Sequence, residues 1–189
     1  DLKKRYEIKG VVGPDEFHTA YPGNDSPGIN NNAYTNVMAS WLFFHTLKAF
    51  DLIGITRREV LKQELQLDDR ELEKWKEMGN KLFIPFIEKG IIAQFEGYER
   101  LEDFDWEVYR KRYSDIHRLD RILDAEGDSV NRYKASKQAD VLMLFYLFSS
   151  EQLVQLFKGL GYDFNTSNIP DNINYYATRT SDGSTLSRI

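Results

Sequence analysis

The chain has 189 residues, 41% of them hydrophobic, enough to fill one domain core. It contains no cysteine, which excludes both a disulfide framework and a thiolate metal site. A net charge of −5 argues against nucleic-acid binding, and no apolar run approaches the ~20 residues a membrane span needs. The acidity fits an ordinary soluble cytoplasmic protein, and no signal peptide is visible.

A short β-rich stretch (Tyr6, Ile8, Val11, Val12) meets a Gly13-Pro14 breaker, and a loop then presents Asp15, Glu16 and His18. Loops held by a scaffold are where catalytic side chains tend to sit, although a surface turn with two solvated acids is an equally ordinary meaning of this spacing. Thr19 to Ile29, with its Pro-Gly and Ser-Pro-Gly pairs, reads as consecutive turns. Apolar residues at Val37, Trp41, Phe44, Leu47 and Ala49 predict a helix over 32–50, capped by Asn30 or Asn31. A second helix is expected over 52–65 with Thr56 as its cap, and a third opens on the Asp68–Glu71 capping box. Short turns between consecutive helices imply antiparallel neighbours.

Residues 83–94 read as a β-hairpin around Lys89-Gly90. Residues 95–128, dense in charge and aromatics without one period, read as a crossing segment with short helices. A buried helix is expected over 136–148. Another starts at the Ser149–Gln152 capping box and ends at Gly159, and a short one spans 171–177. Helix after helix with one small hairpin is the wrong pattern for a parallel α/β sheet, so the fold class is all-α, mainly helical with a small β-hairpin.

Three segments carry a family resemblance: Val11 to His18 with Asn30 to Asn36, Lys137-Gln138-Ala139-Asp140-Val141, and Thr180 to Ser187. In this order they resemble glycoside hydrolase family 65, which holds inverting phosphorylases of α-linked glucose disaccharides and a few related hydrolases. The resemblance implies that Glu16 is the general acid that protonates the glycosidic oxygen. It implies that Lys137 and Gln138 bind the glucosyl unit, with His18 and Asn31 lining the pocket. Gly183, Ser184 and Thr185 would form part of a phosphate cradle. It further implies a six-hairpin (α/α)6 barrel, of which residues 1–189 would be one part of a single catalytic domain truncated at both ends. The long turn over 19–29 departs from the maltose phosphorylase pattern.

The chemistry competes with plainer meanings at each position. Asp15 could be the acid and Glu16 its structural partner. Lys137 could be a helix-start lysine pairing with Asp140 or facing water. Gly183 to Thr185 could be an ordinary turn rather than an N–H nest. The three histidines are far apart and give no metal-ligand spacing. Glycoside cleavage needs a protonated acid at the leaving oxygen and a nucleophile at the anomeric carbon. An inverting hydrolase adds a second carboxylate to activate water, whereas phosphate is already an anion and needs no base. No motif here singles out a second carboxylate.

The expected activity is therefore that of an inverting α-glucosyl disaccharide phosphorylase. Its cofactors are none beyond inorganic phosphate as co-substrate. Its partners are a disaccharide and phosphate, with no nucleic acid, membrane or metal, and a homodimer of the full-length protein is left open. A trehalase-like hydrolase and a non-catalytic helical sugar-binding module are the alternatives.

Overall fold

The structure, a computed structural model, describes residues 4–24, 26–88 and 90–181. Those residues form eight α-helices and one two-stranded antiparallel hairpin, the mainly helical class that the sequence implies. No helix among them is long and apolar enough to cross a membrane. Helix α1 (Ala33–Leu52) starts one residue after the capping side chain, and that cap is Asn32 rather than Asn30 or Asn31. Asn32 Oδ1 accepts from the Thr35 N–H at 2.9 Å, satisfying an amide that the first helical turn leaves open. The buried face of α1 carries Ala33, Asn36, Val37 and Ser40.

Helix α1 packs against α3 (Asp69–Lys81), which Asp68 caps through the Glu71 N–H at 2.7 Å. The approach is close because Gly79 has no side chain: a Cβ there would lie 3.2 Å from that of Phe43. Ser40 Oγ donates to Gly79 O at 2.7 Å across the same contact, so the small residues admit a polar link as well. Helix α2 (Ile55–Glu64) differs from expectation. Gly54, not Thr56, stands at its cap, and it buries no residue, so α1 pairs with α3 instead of with its chain neighbour.

The hairpin, β1 (Phe86–Glu88) with β2 (Ile91–Ile92), is shorter than the sequence implies. Its flanks are claimed elsewhere: the Phe83 N–H bonds Tyr6 O at 2.9 Å, and the Ile84 N–H bonds the Tyr162 hydroxyl at 2.7 Å. The crossing segment contains α4 (Trp106–Arg112) and α5 (Leu119–Ala125), as expected. Then follow α6 (Asp140–Leu147), α7 (Ser150–Gly159) and α8 (Asn168–Ala177). Helix α6 starts four residues later than expected and is not wholly buried, since Tyr146 and Leu147 are exposed.

Two apolar cores result. The larger gathers Ile29, Val37, Ile92, Phe95, Leu144 and Phe157 beneath α1, the hairpin and the last three helices. The smaller joins Phe17 to Phe104, Leu119, Leu123, Val130 and Ala135. Burying each Leu or Phe contributes roughly 2 kcal/mol. The loop over 13–18 lies between them, with Phe17 in the smaller core and His18 against Phe95 of the larger.

Candidate active site

Glu16 is presented by a backbone anchored on both sides. Before it, Asp15 is 3% exposed, and its Oδ1 accepts the Gln138 N–H at 2.8 Å. After it, Phe17 fills the smaller core, and His18 Nε2 meets Tyr133 O at 2.9 Å. Between these anchors Glu16 takes φ 62°, the left-handed region that non-glycine residues rarely occupy. Such a conformation costs on the order of 1 kcal/mol and persists where the surroundings over-determine it, often at functional sites. Its consequence is that Glu16 turns outward, its side chain 73% exposed, while both neighbours turn inward.

The second contribution comes from residues 136–140. The Ser136 N–H bonds Arg179 O and the Ser181 N–H bonds Ser136 O, each at 2.8 Å, so this strand-like stretch runs beside 179–181 before α6 begins. Lys137 Nζ then lies 3.8 Å from Glu16 Oε2, an ion pair across 121 positions of sequence. Its partner is thus Glu16 and not Asp140. Asp140 instead accepts the Asp15 N–H at Oδ1, 2.7 Å, and the Asn32 side-chain amide at Oδ2, 2.8 Å. Gly13 makes room for this: a Cβ there would collide with Asp140 Oδ2 and Asn32 Nδ2.

The electrostatics separate the two acids of the loop. Burial pushes the Asp15 carboxyl well above the usual carboxylate range, and the nearby Asp140 charge adds to that push. Burial likewise raises Asp140 to about 6, against the hydrogen bond from Asn32. Two buried carboxylates in one network do not both ionise readily. Asp15 Oδ2 has no partner while both Asp140 oxygens accept bonds, so Asp15 is the better holder of the proton. Of the two alternatives for the loop, this geometry suits Asp15 as the structural carboxyl and Glu16 as the one that faces outward.

The structure brings Glu16, Lys137 and Gln138 together, with Gln138 half-buried beside the ion pair. It does not bring His18 and Asn31 to the same open face. His18 is packed on the Phe95 and Tyr98 rings, with centroids at 4.9 and 5.9 Å. Asn31 is fully buried, holding the Ile8 N–H at its oxygen and donating to Glu7 and Glu96. The gap that His18 shares with Glu16 and Asp140 measures about 10 Å³, room for one water and not for a sugar. Gly183, Ser184 and Thr185 lie outside the described residues; Ser181, the last described, is held beside Ser136.

The buried polar residues Asp15, Asn32 and Asp140 tie the two loops to α1, a link that the sequence did not reveal, although it named Asp15 as the alternative acid of the loop. A signal was present in Asp140, an acid directly before the apolar run Val141 to Leu147. Among the described residues, no group of three His, Cys, Asp or Glu side chains is placed to hold a metal.

Comparison with known proteins places the chain in a family. The family model for the glycosyl hydrolase family 65 central catalytic domain matches residues 1–189. An uncharacterized glycosyl hydrolase of Mycobacterium tuberculosis is 54% identical over 189 residues, covering all of this chain and 14% of that protein. A trehalose 6-phosphate phosphorylase of Lactococcus lactis is 41% identical over 184 residues, covering 97% of this chain and 22% of the enzyme. A solved chain from the human microbiome, named as a candidate kojibiose phosphorylase, superposes with a TM-score of 0.68 at 26% identity, over 99% of this chain and 22% of its own length. The chain thus spans about a seventh to a fifth of the length of these relatives. On the match along its whole length, the chain belongs to glycosyl hydrolase family 65.

Proposed function

We propose that this chain is the acid-bearing part of an inverting α-glucosyl disaccharide phosphorylase, lying within a single (α/α)6 barrel domain that continues beyond it. The observation that carries the reading is the juxtaposition of Glu16 and Lys137, 3.8 Å apart on an open face. Glu16 takes up a proton as the glucosyl unit claims Lys137 from the ion pair, and gives it to the glycosidic oxygen as the bond from that oxygen to the anomeric carbon breaks. A phosphate oxygen bonds the anomeric carbon from the opposite face, releasing β-glucose 1-phosphate and the second sugar. Lys137 and Gln138 grip the glucosyl unit, and Gly183 to Thr185 contribute to the phosphate cradle.

The phosphorylase names among the relatives support phosphate as co-substrate. The 41% identity to the trehalose 6-phosphate enzyme, against 30% over 155 residues to a maltose phosphorylase of Bacillus subtilis, puts a phosphorylated or 1,1-linked disaccharide ahead of maltose.

The test is sugar release by the complete enzyme from trehalose 6-phosphate, trehalose, kojibiose, nigerose and maltose, with and without phosphate. Release is expected only with phosphate, with β-glucose 1-phosphate as product. Glu16→Gln is expected to lower kcat by about 10²-fold or more, the usual worth of a positioned general acid. Release that is independent of phosphate would assign the hydrolase chemistry instead.

A further inference from the structure

The bonds between the two loops are reciprocal. Asp15 on the first loop accepts a backbone N–H from the second, at Gln138, and Asp140 on the second accepts a backbone N–H from the first, at Asp15. Each carboxyl therefore fixes the other loop's main chain, across 123 and 125 positions of sequence. The residues so fixed adjoin the reacting groups: Asp15 precedes Glu16, and Gln138 follows Lys137. A third element is tied in, because Asn32 donates to Asp140 Oδ2 at 2.8 Å while its own oxygen caps α1 at the Thr35 N–H and hydroxyl. Asp15, Asn32 and Asp140 are all at most 3% exposed. Gly13 closes the assembly with no space for a side chain.

We infer that Asp15, Asp140 and Asn32 form a reciprocal clamp of positioning residues that sets Glu16 opposite Lys137 and Gln138 without touching the substrate. The inference rests on Glu16 acting as the acid and names the device that holds it in register. Misplacing a reacting group by about 1 Å can cost about 10²-fold in rate, so a clamp of this kind acts mainly on kcat. Glu16 at φ 62° gives it something to hold, since that backbone relaxes once its anchor is released.

The orientation of one side-chain amide supplies the test. In Asp140→Asn the oxygen can still accept the Asp15 N–H, but the new NH₂ faces the Asn32 NH₂. Asn32 cannot turn over without giving up the α1 cap. The complete enzyme carrying Asp140→Asn is expected to lose about 10- to 100-fold in kcat, with KM for the disaccharide within about threefold. The folded fraction is matched by circular dichroism at the assay temperature, so a merely structural role would leave kcat per folded enzyme unmoved.

The exchanged pair Asn32→Asp with Asp140→Asn restores donor to acceptor and keeps a carboxylate at the cap. It should recover kcat to within about threefold of the unsubstituted enzyme. A single variant with unchanged kcat, or an exchanged pair no better than the single, overturns the clamp. Should the single variant not fold, the exchanged pair decides alone: a kcat more than about tenfold below the parent overturns it.

α-Glucosyl fluoride with phosphate separates this claim from the acid assignment, because fluoride leaves without a proton. Glu16→Gln should regain rate on it, whereas Asp140→Asn should not, since the misalignment of Lys137 and Gln138 in the transition state is the same with either leaving group. Full recovery of Asp140→Asn on the fluoride overturns the claim that both loops are held. Unaltered disaccharide turnover by Glu16→Gln would remove the acid reading itself.

Discussion

His18 shows how one residue's packing sets a pH response. Its Nε2 faces a carbonyl oxygen, Tyr133 O at 2.9 Å, so that nitrogen carries the hydrogen and donates. Its Nδ1 is buried without a partner, so a second proton would be a charge with no acceptor. Burial accordingly pushes the imidazole down from 6.5 to about 4. A folded value below the unfolded one means that the unfolded chain takes up the proton first. The stability from neutral His18 is complete above pH 6.5 and is lost as pH falls towards 4. The buried pair of Asp15 and Asp140 acts with the opposite sign: burial raises both carboxyls, so the folded pair holds a proton that the unfolded chain has released, favouring the fold at acid pH. His18→Gln can keep a donor to Tyr133 O and does not titrate. From pH 7 to pH 5 the parent enzyme should lose about 2 kcal/mol more than this variant, Asp140 being common to both. Urea midpoints at the two pH values measure the difference, and parallel midpoints would show that His18 charges freely in the fold.

At the scale of elements, local signals and distant ones part company. The Ser149–Gln152 capping box is realised in full at α7, with the Gln152 N–H on Ser149 Oγ at 3.3 Å and the Ser149 N–H on Gln152 Oε1 at 2.9 Å. It was legible because every partner lies within three residues. Ser149→Ala removes the hydroxyl half of the box and should destabilise by about 1 kcal/mol, read as a lowered unfolding midpoint with kcat unchanged. The start of α6 was not legible, because Ser136 O, the carbonyl that a helix starting there would offer to the Asp140 N–H, is taken from afar by the Ser181 N–H at 2.8 Å. The three asparagines follow the same logic. Asn30 and Asn31 hold the Gly10 and Ile8 amides from across the loop, leaving the cap to Asn32. The β-rich opening forms single bridges rather than a strand, since Tyr6 pairs with Leu82 and Val11 with Ile29. Of the site, Glu16 and Lys137 were named through resemblance, whereas their 3.8 Å approach is a tertiary fact no spacing could reveal.

At the scale of the whole molecule, the second half of α1 and the start of α2 carry apolar side chains that this chain leaves uncovered. Leu42, 59% exposed, lines a groove of about 380 Å³ with Trp41, Phe50, Ile53 and Leu61, while Leu52 and Ile55, at the turn from α1 to α2, are 78 and 77% exposed. Adjoining apolar residues of this kind mark a surface that something else covers. In the proposed barrel domain the occupant is the remainder of the catalytic domain, since the chain spans only 14 to 22% of its relatives' length. The expectation carries a sign that depends on context. Leu52→Lys with Ile55→Lys should reduce dye binding and self-association of residues 1–189 expressed alone, because charge replaces apolar surface facing water. In the complete enzyme the same pair should lower the melting temperature by several degrees. Each lost side chain there gives up roughly 2 kcal/mol of burial, and each buried ammonium group costs more. Side-by-side thermal melts and light scattering read both effects. An unchanged melting temperature in the complete enzyme would mean that this face meets solvent there too, and that the barrel does not close over α1 and α2.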